Sequence, residues 1–226
     1  MLVDCLIFFI LKNANLRAQQ QVSKLEEQTS LSLANASFDL LTTITNLTPI
    51  SLPAEFQGRS GAVDTSRYLD RESSNASPLS LREKLVRSVL HTYTTEVPLQ
   101  HQTFANAKAE ELLKAIAANT SLDFVGQTAT DLISDMEPPR LQAVLRMTEV
   151  RIKQLITAAA NGSHQMSEED LENLIRLATM ALAPQLNNTV PDVRKTVVFC
   201  LVEVGEAMGL QLFATEVMEK HLNISQ

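Results

Sequence analysis

Val190-Pro-Asp-Val-Arg-Lys-Thr-Val-Val-Phe-Cys-Leu-Val-Glu-Val-Gly-Glu-Ala-Met-Gly209 is the stretch that decides the fold. Val193, Val197, Cys200, Leu201, Val204 and Met208 recur at helical steps and form one stripe. Val198, Phe199 and Val202 form a second. Pro191 suits a first helical turn, and Asp192 is placed to cap the free N–H groups. A helix apolar on two sides is expected to be covered on two sides, by its own partner and by a neighbouring pair. That is the geometry of an α-solenoid, in which each repeat touches only adjacent repeats.

Working outward, Ser167-Glu-Glu-Asp170 starts the preceding helix with acids at its positive end. Its predicted buried stripe is Leu171, Leu174, Ile175, Ala178, Ala181 and Leu182, with Pro184 and Asn187-Asn188-Thr189 ending it. Pro138-Pro139 opens another helix, with Leu141, Val144, Leu145, Ile152, Leu155 and Ile156 on one face. A shorter helix is predicted over 122–134, and Phe104, Leu112, Leu113 and Ile116 mark one before it. Ser80-Leu-Arg-Glu83 is a capping box, followed by Leu81, Leu85, Val89 and Tyr93 at helical spacing.

Residues 48–80 hold Pro49, Pro53, Gly58, Gly61 and Pro78 among Ser, Asp and Arg, and read as a linker or long loop. Thr48-Pro49 and Ser77-Pro78 have the form of proline-directed kinase sites, though incidental prolines in a solvated linker are the simpler reading. The chain thus divides into a helical segment over 1–47, a linker over 48–80 and a repeat domain over 81–226. Three helices are expected in the first segment, at 2–11, 15–28 and 30–47. Asn13-Ala-Asn-Leu-Arg17 reads as a polar turn resembling Asp192-Val193-Arg194. Ser121-Leu-Asp-Phe-Val125 is a third such turn, with Gly126 where Arg is expected. Helix pairs of this size repeat at about 40 residues, within the HEAT and armadillo range.

Composition agrees with an all-α fold. The 226 residues are 45% hydrophobic and 20% charged, but only 4% aromatic, with no Trp and six Gly. That is thin for a β-sandwich or barrel and leaves no phosphate-cradling glycine loop. Net charge is −7, and residues 163–226 hold nine acids against four bases. An acidic chain without a basic run is a poor direct ligand for nucleic acid or an anionic membrane. Two cysteines, Cys5 and Cys200, make no disulfide framework, so a reducing compartment is the simpler assumption.

Met1-Leu-Val-Asp-Cys-Leu-Ile-Phe-Phe-Ile-Leu11 could be taken for a targeting segment. Its apolar run is far short of the ~20 residues that span a bilayer, and Asp4 stands where a signal peptide wants positive charge. A buried first helix is the favoured reading. Sequons at Asn35, Asn46, Asn75, Asn119, Asn161, Asn187 and Asn223 keep a secreted helical protein in play.

Chemistry is sparse. His91, His101, His164 and His221 are scattered, with no Cys or carboxylate at metal spacing. Cys200 lies on the apolar stripe and reads as structural rather than nucleophilic. Glu110-Glu111 and Glu168-Glu169-Asp170 suit solvated faces and helix starts. No hydrolase, zinc-protease or phosphate-loop motif occurs. The chain is read as a non-enzyme without cofactor or metal.

The string Val193-Arg-Lys-Thr-Val-Val-Phe-Cys-Leu-Val202 resembles the final HEAT repeat of the CLASP family, the cytoplasmic linker-associated proteins that stabilise microtubules. The Val-Arg pair is general to HEAT repeats; the Arg-Lys followed by Val-Phe-Cys-Leu-Val is narrower. Residues 81–145 can be laid against the preceding repeats of the same C-terminal domain with weak identity. The resemblance implies a cytoplasmic, cytoskeletal protein at microtubule plus ends, the spindle or kinetochores. The match to a C-terminal domain also suggests a fragment, or a gene model missing its upstream tubulin-binding repeats. Family domains that grip tubulin use a Trp in the first repeat turn, and this sequence has none. The C-terminal domain docks proteins instead: cytoplasmic linker proteins, cortical adaptors and kinetochore motors, with microtubules reached indirectly. A HEAT scaffold of an unrelated trafficking, transport or phosphatase-type complex is the alternative.

A solenoid gathers its intra-repeat turns along one edge, where a partner can reach them. The candidate partner-binding residues are therefore Asn15 and Arg17, Asp123, and Asn187, Asn188, Asp192, Arg194 and Lys195. Structural roles compete for two of these: Asp192 as a helix cap and Arg194 as a bond to the neighbouring repeat. For Lys195, partner binding and ordinary solvent exposure compete.

Overall fold

Three- and four-residue apolar steps become helices wherever the computed structural model describes the chain, namely residues 2–18, 24–47, 81–92, 99–133 and 136–221. The protein is all-α, with no strand among the described residues. The expected linker over 48–80 lies outside them, with Ser80 of the capping box and Tyr93. The chain forms two compact units, Met1–Asn119 and Thr120–Gln226. The helices flanking residues 48–80 belong to the same unit.

The first unit contains α1 (Leu2–Ala18), α2 (Lys24–Leu47), α3 (Leu81–His91) and α4 (Leu99–Ala118). Val3, Leu6, Ile7, Ile10, Leu11 and Ala14 of α1 are buried, as are Ala34, Phe38 and Leu41 of α2. The apolar start of the chain is therefore a buried helix. α1 packs on α2 and α3, and α4 on α2 and α3. Asn13 near the end of α1 donates to Ser30 near the start of α2 at 3.1 Å, so these helices run antiparallel. Asp39 of α2 pairs with Lys108 of α4, and further along both helices Asn46 accepts from Asn119 at 3.2 Å, so α2 and α4 run the same way.

Two helices thus stand where three were expected before residue 48. No turn interrupts residues 13–17, because Asn13 is buried against Ser30 and has its polar group satisfied across the seam. The expected break near 28–30 is absent too. The Ser and Thr hydroxyls of α2 donate to carbonyls one turn back, as Ser32 does to Gln28 and Ser37 to Leu33, and so leave the helix intact.

The second unit contains α5 (Leu122–Ile133), α6 (Pro138–Ala160), α7 (Glu168–Arg176) and α8 (Pro191–Met208). α6 starts at the proline pair. At α7, Ser167 accepts from the Asp170 N–H at 3.1 Å while the Asp170 carboxylate accepts from the Ser167 N–H at 3.1 Å, a complete capping box. α7 widens into a π turn over Leu177–Leu182 and tightens into a 3-10 helix over Ala183–Asn187. Pro184 accounts for this, since it lacks an N–H and its ring clashes with the carbonyl four residues back. A short tail, α9 (Leu210–Phe213), a π turn (Ala214–Met218) and α10 (Glu219–His221), completes the unit.

Packing in the second unit has the same form as in the first. α5 packs on α6 and on α7 with its π turn, and α8 packs on α6 and on the α7 rod. Cys200 lies at Leu145, and further along both helices Lys153 reaches Glu203 at 3.4 Å, so α6 and α8 run the same way. The inner stripe of α8, from Val193 to Met208, is buried as predicted. Gly205 lets Phe213 approach, since a Cβ there would lie 3.3 Å from the ring, and Gly209 turns the chain with φ of 85°.

The second stripe corrects the sequence expectation. Val198, Phe199 and Val202 are 47%, 51% and 61% exposed, so α8 is covered on one side only. α6 and the α7 rod occupy its inner side, and Phe213 packs on Gly205 rather than over this stripe.

Candidate interaction surface

The turn between the α7 rod and α8 is built from side chains that bond their own backbone. Asn188 donates to Gln185 Oε1 at 2.9 Å and accepts from the Val190 N–H at 3.0 Å. Arg194, one turn into α8, donates to the Asn188 carbonyl at 2.6 Å and the Thr189 carbonyl at 3.2 Å. These bonds join Asn188 and Arg194 at one corner, with Asn187, Asp192 and Lys195 exposed beside them. Arg194 therefore fastens its own turn, and among the described residues it makes no bond to a neighbouring repeat. Both bonds leave from one terminal nitrogen, Nη1, whose two N–H groups meet the two carbonyls at the helix start.

Asp192 also differs from its expected role. The N-cap position belongs to Val190, which offers no side-chain cap, and Asp192 sits in the first turn. Its carboxylate stabilises the helix start through its charge rather than through a capping bond. Lys195 lies across one turn from Phe199, its Nζ 5.8 Å from the ring centroid.

Asp123 stands apart from this corner. Ser121 caps α5 by accepting from the Phe124 N–H at 3.2 Å, and Asp123 in the first turn pairs with Arg176 of α7 at 2.6 Å. Arg176 also donates to Asn173 Oδ1 at 2.8 Å. Asp123 is thus engaged in holding α5 to α7. Asn15 and Arg17 fall within α1 rather than in a turn, and their side chains lie outside the described residues.

Reactive chemistry is weak at the residues considered for it. The Cys200 thiol donates to the Leu145 carbonyl at 3.5 Å, and burial pushes its pKa up to about 12. It is a protonated core group at neutral pH rather than a nucleophile. His164 meets Asp170 at 2.9 Å beside the α7 capping box. Among the described residues no group of three His, Cys, Asp or Glu is placed to hold a metal ion, and no helix is long and apolar enough to cross a membrane.

Sequence reasoning missed the accessible outer face of α8. Its signal was present as the stripe Val198, Phe199 and Val202, but apolar residues alone do not say what covers them. No family model matches the chain, and no curated protein matches it.

Proposed function

We propose that the chain is a non-catalytic protein-interaction domain, an α-solenoid of HEAT-like helix pairs, that docks partner proteins. The observation that carries this reading is the repeated packing rule. In both units helices pack on the second helix along, and those alternate helices run the same way where side-chain contacts fix their direction (α2 with α4, α6 with α8). That is how the two layers of a helical-repeat protein stack. The corner at residues 187–195 fits the docking role. Arg194 and Asn188 rigidify the turn from within, leaving Asn187, Asp192 and Lys195 exposed at low ordering cost to a partner.

The CLASP-like string narrows the proposal to a microtubule-stabilising protein of plus ends, spindle or kinetochores. This domain would reach microtubules through linker proteins, cortical adaptors or kinetochore motors. The charge of −7 favours an indirect route, because the microtubule surface is itself acidic. The test is imaging of the chain, tagged at its C-terminus, in dividing cells. Signal on microtubule tips, spindle or kinetochores that vanishes on microtubule depolymerisation is the expected result. Diffuse or punctate cytosolic signal would remove the microtubule reading and leave a general HEAT scaffold. Signal in the secretory pathway would overturn the compartment as well.

A further inference from the structure

The loop that leads into α7 ends on Ser167-Glu-Glu-Asp170, and Ser167 is the one Ser or Thr of the chain followed by three acids in a row. Ser167 is exposed, as are residues 161–165 before it, and its backbone is extended, with φ of −87° and ψ of 164°. Its hydroxyl donates to Asp170 Oδ2 at 2.7 Å and accepts from the Asp170 N–H at 3.1 Å. The same carboxylate oxygen meets the Ser167 N–H at 3.1 Å and His164 Nε2 at 2.9 Å. An exposed hydroxyl followed by acids suits a kinase that reads negative charge after its target, and the first turn of a helix opens more readily than its middle.

A second observation concerns Arg151 of α6. Its guanidinium is half-buried, its Nε is wholly buried without a hydrogen-bond partner, and among the described residues it forms no ion pair. Burial lowers its pKa, and the charge that offsets this in part is the Asp170 carboxylate. A half-buried cation without a bonded anion is unfavourable, yet Asp170 Oδ2 is engaged by Ser167 and His164 instead. An anion added at Ser167 would stand beside the carboxylate whose charge already acts on Arg151.

We propose that Ser167 is phosphorylated by an acid-directed serine kinase and that Arg151 and His164 receive the phosphate. This goes beyond the interaction-domain reading and does not depend on the microtubule assignment. Ser167 Oγ attacks the γ-phosphorus of ATP. The new O–P bond forms as the bond to the β–γ bridging oxygen breaks, ADP leaves, and the hydroxyl proton passes to the kinase's base. Phosphoserine adds a charge of about −1.5 to −2 and three acceptor oxygens. Its ester oxygen has no proton left for Asp170, so the 2.7 Å bond is lost and like charge pushes the carboxylate out of the capping box. The N–H groups at the helix start then donate to the phosphate in its place. Glu168 and Glu169 oppose this but are exposed, whereas Arg151 is half-buried and less screened. The start of α7 thereby passes from a carboxylate cap to a phosphate cap tied to α6.

The test starts with the whole chain, casein kinase II and ATP, the phosphate being located by mass spectrometry. Phosphate is expected at Ser167 of the folded wild type, and its peptide is expected to stay unmodified in Ser167→Ala. Phosphorus NMR then follows the second ionisation of the phosphate, ordinarily near pH ~6. In the folded chain it is expected about half a pH unit or more below its value in the same chain unfolded in urea, where the neighbouring acids remain but Arg151 is no longer held nearby. Arg151→Gln is expected to shrink that difference, with circular dichroism checking that the variant is folded.

Ser167 left unmodified in the folded chain would overturn the proposal. So would an ionisation no lower in the folded than in the unfolded chain, or one that folded Arg151→Gln leaves unchanged. The urea comparison needs no variant, so it decides the matter even where Arg151→Gln does not fold. All of this is done on purified protein, so a failed imaging result leaves its outcome standing.

Discussion

Two seams of the molecule, α1 against α2 and α6 against α8, are built from the same apolar steps but carry different groups among them. In the first, Asn13 and Ser30 are both buried and bond each other at 3.1 Å. In the second, the thiol of Cys200 meets a backbone carbonyl among Val193, Val197, Leu201 and Val204. An amide and a hydroxyl in an apolar seam are tolerated only as a pair, because each alone would lose its water without replacement. A thiol behaves as a small apolar group and has no such requirement. The α6–α8 seam therefore depends on volume, and the α1–α2 seam on volume and on one polar match.

The largest effect is expected where volume alone counts. Leu201→Ala removes a side chain that is only 6% exposed and should cost about 2–5 kcal/mol, depending on how far α6 and α8 close over the cavity. Denaturant titration measures this directly. A cost below about 0.5 kcal/mol, the size usual for surface substitutions, would mean that α8 does not pack by this face.

Asn13→Ala tests the other seam and should cost about 1–3 kcal/mol, mostly because the Ser30 hydroxyl is stranded. Ser30→Ala on top of it should recover part of that loss, since the unpaired group is then gone as well. Additive losses in the double variant would show that the two residues do not depend on each other.

Smaller again is the contribution of the α7 start. Ser167→Ala should cost about 1 kcal/mol by removing one half of the capping box. Burial pushes the Asp170 pKa up, but bonds from the Ser167 hydroxyl and N–H and from His164 outweigh it, so the carboxyl lies below its ordinary value. A depressed carboxyl contributes stability above its unfolded pKa of about 3.9 and loses it as pH falls through the lower folded value. Asp170→Asn should therefore flatten that acid limb of the stability curve while leaving the neutral-to-basic side parallel to wild type.

The same contrast explains how much was legible in the sequence. The α8 inner stripe, the Pro138-Pro139 start and the Ser167 capping box are local signals, in which spacing or a side chain answers a backbone need within one turn. Asn13 reads as part of a turn in the sequence because its partner, Ser30, lies seventeen residues away, and nothing local distinguishes a paired buried Asn from a solvated one. Arg194 and Asp192 were placed correctly at a helix start, yet their bonds depend on how the turn at Asn188 closes. The outer stripe of α8 failed in a third way. Its apolar character was plain, but coverage is a property of what surrounds a helix, not of the helix itself.

Lys195→Ala carries the smallest expected change in stability and sharpens the comparison at its far end, on the uncovered side of α8. Lys195 is exposed, and its partner ring, Phe199, is 51% exposed, so their attraction is weakened by water. The substitution should shift stability by less than about 0.5 kcal/mol in the titration that reports Leu201→Ala. A loss near that of Leu201→Ala would mean that the outer face is packed after all.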